Sequence, residues 1–187
     1  MFKPKFKYTN KIVKLLTKIS AAKETILNSP LIPKWNVTLR REAIIHSAHS
    51  STSIEGNRLS IKQVSELAQG REITAARRDK QEVLNYLDVL KNIKNLIKNN
   101  FITEKDILNI HRIVTKNTLD NPADSGVYRN LYVVVGNRLT GEVFFRPPQN
   151  LEVPGLVKDL LSWINSKESK ELDPVIEQYT GTAIFLK

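Results

Sequence analysis

Apolar residues recur at helical spacing through most of this 187-residue chain, and a single β-branched run breaks the rhythm. The clearest stripe is Val83, Leu87, Leu90, Ile93 and Ile97, which predicts a helix over 77–98 with one buried face. Ile12, Leu15, Leu16, Ile19 and Ile26 predict another over 10–28, with Lys11, Lys14 and Lys18 on the opposite face, Asn10 as its cap and Ser29-Pro30 as its stop. Pro30 to Lys34 reads as a link. Beyond it, Leu39, Ala43, Ile44 and Ala48 outline a helix from Asn36 to Ser53. Glu55-Gly56-Asn57 closes it, because glycine tolerates the left-handed geometry that ends a helix. Ser60-Ile61-Lys62-Gln63 is a capping box opening a short helix to Gly70. Thr103 caps a helix over 104–117 carrying Ile107, Leu108, His111 and Val114.

The break comes at Leu131-Tyr132-Val133-Val134-Val135, a run suited to a strand. Gly136-Asn137 begins a turn, Glu142-Val143-Phe144-Phe145 returns, and Pro147-Pro148 ends the pairing, so 130–146 reads as a hairpin. Val133, Val135 and Phe144 are apolar enough to be buried as an ordinary core hairpin. Pro154 suits the first position of a helix to Lys167, with Leu156, Leu160, Trp163 and Ile164 facing inward, and Asp173-Pro174 opens one more. The fold class is therefore mainly α with one β-hairpin.

Composition narrows the chemistry. With no cysteine, disulfides, thiol catalysis and Cys-ligated zinc are excluded. No apolar run reaches the ~20 residues of a membrane span, and the N-terminus lacks the apolar core of a secretory signal, so the expected location is cytoplasmic. The net charge is +10, and residues 1–50 hold +8 of it, ten Lys/Arg against two acids. Such a segment attracts nucleic acid or an anionic surface, while the simpler reading is a solvated helix face. His46 and His49 lie three apart without a third ligand at usual spacing, so no metal site is expected. His111 reads as a hydrogen-bonded core residue, Trp35 and Trp163 as packing residues, and Arg40-Arg41 and Arg77-Arg78 as solvated helix ends.

The segment Ser50-Ser51-Thr52-Ser53-Ile54-Glu55-Gly56-Asn57 carries a Ser followed four residues later by Glu and then Gly. On a helix Ser51 and Glu55 share a face, and a carboxylate there is placed to fork with an arginine. Taken alone, that pairing is a helix end. Its context changes the reading. Arg41-Glu42-Ala43 lies upstream and Asn57-Arg58-Leu59-Ser60 runs into a capped helix downstream. Gly126-Val127-Tyr128-Arg129 precedes the hairpin, Arg146-Pro147-Pro148 follows it, and Leu160-Leu161-Ser162-Trp163 comes next. In this order the segments resemble the Fic family, whose members transfer AMP from ATP onto protein hydroxyls, and the likeness runs from about residue 35 to about 177.

The resemblance implies roles. Glu55, with Ser51, Gly56 and Asn57 around it, would be the inhibitory motif, its carboxylate occupying an arginine that otherwise clamps the γ-phosphate of ATP. Leu131, Tyr132, Val133, Val134, Val135, Glu142, Val143 and Phe144 would form the flap, whose strand edge takes the target's segment as an added strand. Residues 1–100 would be the N-terminal helical region and 101–187 the beginning of a Fic core, an incomplete helical bundle with its flap. The family's reaction needs a loop H-x-F-x-(D/E)-G-N-G-R-x-x-R, supplying a general base, backbone N–H groups for the phosphates and an acid for Mg²⁺. His46, His49 and His111 are the only histidines, and none begins such a loop.

The expectation is thus a Fic relic without catalytic residues, binding neither ATP nor Mg²⁺ tightly. Gln178 to Lys187 departs from the family's continuing helix, as a frameshift or early stop in a longer gene would produce. Apolar faces made for a missing helix would leave the chain marginally stable and prone to self-association. Two other classes remain open. One is a binding module that recognises a protein target or donates Glu55 to an intact Fic protein. The other is a nucleic-acid-binding protein acting through its basic first 50 residues.

Overall fold

The computed structural model describes residues 6–29, 33–97, 101–137 and 139–177, without the side chains of residues 33 and 34. Residues 30–32 of the expected link, Lys98 and the dissimilar tail 178–187 lie outside them. Seven α-helices lie wholly there: α1 Asn10–Asn28, α2 Pro33–Ile54, α3 Ile61–Ala68, α4 Arg77–Leu96, α5 Glu104–Val114, α6 Val153–Ile164 and α7 Lys167–Lys170, and residues 174–177 are helical too, as the Asp173-Pro174 opening predicts. One antiparallel ribbon, β1 Val135–Gly136 with β2 Val143–Phe145, sits between α5 and α6 in sequence. The mainly α class with one hairpin is what the periodicity requires.

The fold is organised on α4. Val83 and Leu87, four apart, are buried against α2 and α3 in a core that includes Ile45, Ala48, Leu59, Val64 and Leu67. Asn85 and Val89, also four apart, are buried as well, and α5 packs on α4 too. The Asn85 amide donates to the carbonyls of Val114 (3.0 Å) and Lys116 (2.7 Å), two acceptors that the end of α5 leaves without helical partners. Asn165, just past α6, accepts from the Ile102 N–H (2.9 Å) and donates to its carbonyl (2.7 Å), tying the entrance of α5 to the exit of α6. Both predicted caps hold: Ser60 closes a capping box with Gln63, and Thr103 closes one with Asp106.

Several local expectations are corrected. Thr9, not Asn10, caps α1, its hydroxyl accepting from the Ile12 N–H (3.3 Å). The α2 helix starts at Pro33, three residues early, which proline allows in a first turn where its missing N–H has no helical partner. The predicted helices 77–98 and 104–117 end at Leu96 and Val114. In α6 the buried set is Val157, Leu160, Leu161 and Trp163, while Leu156 stands exposed, so the inward stripe is centred on Val157, Leu160 and Leu161, at i, i+3 and i+4. Trp35 is exposed rather than packed. Most apolar residues of α1, Val13, Leu15, Ile19 and Ile26 among them, are exposed, and no other helix or strand of the described residues packs on it.

The ribbon departs most. Of the run Leu131 to Val135, only Val135 joins the ladder. Val135 pairs with Phe145, so extending that register would set Val133 and Tyr132 opposite Pro147 and Pro148, which have no N–H to donate. The pairing stops there. Val133, Val135 and Phe144 are exposed, so the hairpin is not part of a core.

Candidate functional site

The end of α2 is built by its own sequence. Thr52 is buried and its hydroxyl donates back to the Ala48 carbonyl (2.8 Å). Ser51 turns toward α4, where the Tyr86 hydroxyl donates to its Oγ (2.8 Å). The helix stops at Ile54, and Gly56 reverses the chain at φ +92°, a conformation that favours glycine. Glu55 sits in that turn, exposed, its N–H donating to the Thr52 carbonyl (3.1 Å).

Asn57 is buried, and both ends of its amide are engaged. Its Nδ2 donates to the Asp79 carbonyl (2.9 Å) and to Glu82 Oε2 (3.0 Å), and its Oδ1 accepts from the Leu59 N–H (3.1 Å). Glu82 is held in turn by Arg78 (3.0 Å), so the Arg78 side chain is paired, not merely solvated. The predicted four residues therefore divide: Ser51 and Asn57 face inward to α4, while Glu55 and Gly56 face outward. No hydrogen bond joins Ser51 to Glu55 among the described residues. A cleft of about 440 Å³ between α2 and α3, bordered by Glu42, His46, Lys62 and Arg71, does not include Glu55. The α2 helix, at whose end Glu55 lies, contacts α3 and α4 and neither strand among the described residues.

The ribbon stands clear of the helices. Leu131, Tyr132, Val133, Val134, Val135, Val143 and Phe144 are exposed, and Glu142 at the tip accepts the Asn137 N–H at its carbonyl (2.8 Å). Its root is anchored on α5. The Gly126 N–H donates to His111 Nδ1 (2.9 Å), which fixes that nitrogen as the unprotonated acceptor and makes His111 the hydrogen-bonded residue expected. Gly126 has φ +76°, and a Cβ there would lie 2.8 Å from Arg112 Nε and 3.1 Å from the Leu108 carbonyl, so no other residue fits without displacing α5. Two residues further on, the Tyr128 hydroxyl is buried without a partner in hydrogen-bond geometry. Burial first, and the facing Glu104 carboxylate second, push that phenol up to about 12. Sequence reasoning quoted the Gly-x-Tyr-Arg motif without a task for Arg129, and gave no signal for Asn150. Both hold the ribbon's root.

No protein-family model matches the chain. It is 32% identical over 147 residues to the protein adenylyltransferase Fic of Aedes aegypti, covering 75% of this chain and 28% of that protein. A Fic family protein from Desulfovibrio desulfuricans, solved by crystallography, superposes with a TM-score of 0.77 at 26% identity, over 98% of this chain and 53% of that one. This chain belongs to the Fic family. A second solved member, a Fic-domain signalling protein from Bacteroides thetaiotaomicron, agrees at a TM-score of 0.69 and 26% identity, over 86% of this chain and 60% of that one. The chain thus spans 28% to 60% of the length of these Fic proteins. No helix of the described residues is long and apolar enough to cross a membrane.

Proposed function

We propose that this chain is the recognition and control part of a Fic-type protein adenylyltransferase and transfers no AMP by itself. The ribbon would dock the extended segment of a target protein, and Glu55 would be the inhibitory carboxylate. The observation that carries this reading is the state of the ribbon. On a Fic fold, a two-stranded ribbon with both outer edges unpaired and its side chains exposed offers backbone donors and acceptors that an added strand would satisfy.

The residues present do not fit Mg-ATP. The 187 residues hold no H-x-F-x-(D/E)-G-N-G-R loop, and the described residues gather no three His, Asp or Glu side chains into a metal-binding group. Glu55 lies on a helix-end turn with no phosphate-cradling run of N–H groups beside it. No step of transfer is therefore assigned to this chain's residues.

The exposure of Glu55 favours a second reading, that this carboxylate acts in trans on an intact Fic protein. An exposed carboxylate on a hydrogen-bonded turn is available to an arginine of another molecule. Each reading has its own experiment. Titrating the labelled chain with an acetylated Thr-Val-Thr-Val-Thr peptide should move the amide resonances of Val135, Asn137, Val143 and Phe145, while capture of the intact Desulfovibrio protein should fail with Glu55→Ala. Unmoved ribbon resonances at saturating peptide would remove the docking role, and capture indifferent to Glu55 would remove the action in trans.

A further inference from the structure

The ribbon is too small to hold itself. Its ladder is two positions long, all its strand residues are exposed, and neither strand contacts another element. A lone two-stranded hairpin of this kind is at best marginally stable in water. Below the ladder, Pro147 and Pro148 cannot supply rungs. Something other than strand pairing must fix the two limbs.

Arg129 is placed to do so. Its guanidinium donates through Nη1 to the Leu131 carbonyl (3.2 Å) on the outgoing limb and through Nη2 to the Pro148 carbonyl on the returning limb, the second bond being the shorter. One planar fork thus bridges the limbs at the level where the prolines remove the ladder. No carboxylate pairs with Arg129 among the described residues, so its charge is directed at these carbonyls. Asn150 adds a second tie, its amide donating to the Asn130 carbonyl (2.9 Å). Behind both, the outgoing limb is fastened by Gly126 to His111, and the returning limb by the Gln149 N–H to Glu152 Oε2 (2.7 Å).

We propose that Arg129 is a positioning residue for the docking ribbon, replacing the rungs the prolines forbid and fixing the direction in which both free edges are presented. Its purpose rests on the docking role argued above; its geometry does not. Lysine cannot take its place, because an ammonium is a point donor without the planar fork that spans two carbonyls.

Amide hydrogen exchange on the full chain, with no peptide present, tests this. Arg129→Lys should speed exchange of the Asn137 amide, which donates across the ribbon to Glu142, by about tenfold or more, the loss of roughly one charge-assisted hydrogen bond. The amides of Val83 to Val89 in α4 and the thermal midpoint should not move, and Asn150→Ala should act in the same direction but less. Unchanged ribbon exchange would overturn the proposal, as would acceleration shared equally by α4, which would make Arg129 a general folding residue. Should the variant fail to fold, the wild-type guanidinium decides: slowed Nη rotation by NMR supports the bridge, and free rotation refutes it. Failure of the docking role would appear separately, as a peptide titration that leaves the ribbon resonances still.

Discussion

Replacing Asn57 by alanine should destabilise the fold by about 2–4 kcal/mol. Asn57 is 8% exposed and Leu59, whose N–H it accepts, 5% exposed. Removing the Oδ1 leaves that buried N–H unsatisfied, at a cost of about 1–3 kcal/mol. Removing the Nδ2 deprives Glu82 and the Asp79 carbonyl of a donor. Glu82 keeps Arg78 and reaches water, so this second loss is about 1 kcal/mol. For a chain of this size the sum lowers the midpoint by roughly 4–16 °C. Urea unfolding followed by far-UV circular dichroism gives the difference directly. Asn57→Asp sharpens the test, because it keeps the acceptor for Leu59 but turns a carboxylate toward Glu82. It should also destabilise at neutral pH, and recover partly as acid protonates the pair. Both variants within about 0.5 kcal/mol of wild type would refute the reasoning, since that is the range of substitutions touching nothing.

Other outcomes follow from the same contacts. Gly126→Ala should cost about 1–3 kcal/mol through its positive φ and the crowding with Arg112 and Leu108, and ribbon exchange should rise with it. Tyr128→Phe should change stability at neutral pH by less than about 1 kcal/mol, because the buried hydroxyl it removes faces Glu104 without making a well-formed hydrogen bond. The folded phenol, at about 12, lies above its ordinary 10.0, so the stability it contributes is complete below the lower value and lost as pH rises through the higher. Alkaline unfolding should therefore shift upward in Tyr128→Phe, with one late-ionising tyrosine missing from the ultraviolet titration. At the acid end, the Thr103 hydroxyl and then its backbone N–H hold the Asp106 carboxyl below its ordinary 3.8. The cap it gives α5 is thus complete above that value and lost as pH falls through the lowered folded one, and an NMR titration of Asp106 should show the depression reduced, with the backbone share remaining, in Thr103→Ala.

Local order was legible in the sequence wherever one residue type does one local job. The α4 stripe, the Ser60 box and the Thr103 cap depend on spacings of three or four residues, and all three form. The joints between elements were not legible. Asn85 reaches carbonyls up to 31 residues away and Asn165 reaches across 63, and an asparagine gives no sign of which distant backbone group it will meet. The same holds for Asn57: its place in a motif said nothing of its partners on α4. The β-branched run at 131–135 predicted a strand correctly in propensity, but the prolines of the opposite limb decided how much of it could pair. Periodicity likewise marks an apolar face without saying whether anything covers it, which is why the α1 stripe was visible and its exposure was not.

The most direct test of the account is incorporation of label from α-labelled ATP. On the proposed reading, purified chain, Mg²⁺ and a cell extract should yield no labelled protein above a boiled-chain control, because the sequence carries no H-x-F-x-(D/E)-G-N-G-R loop to supply a base and a phosphate cradle. Label that appears only with the native chain, on itself or on an extract protein, would contradict it.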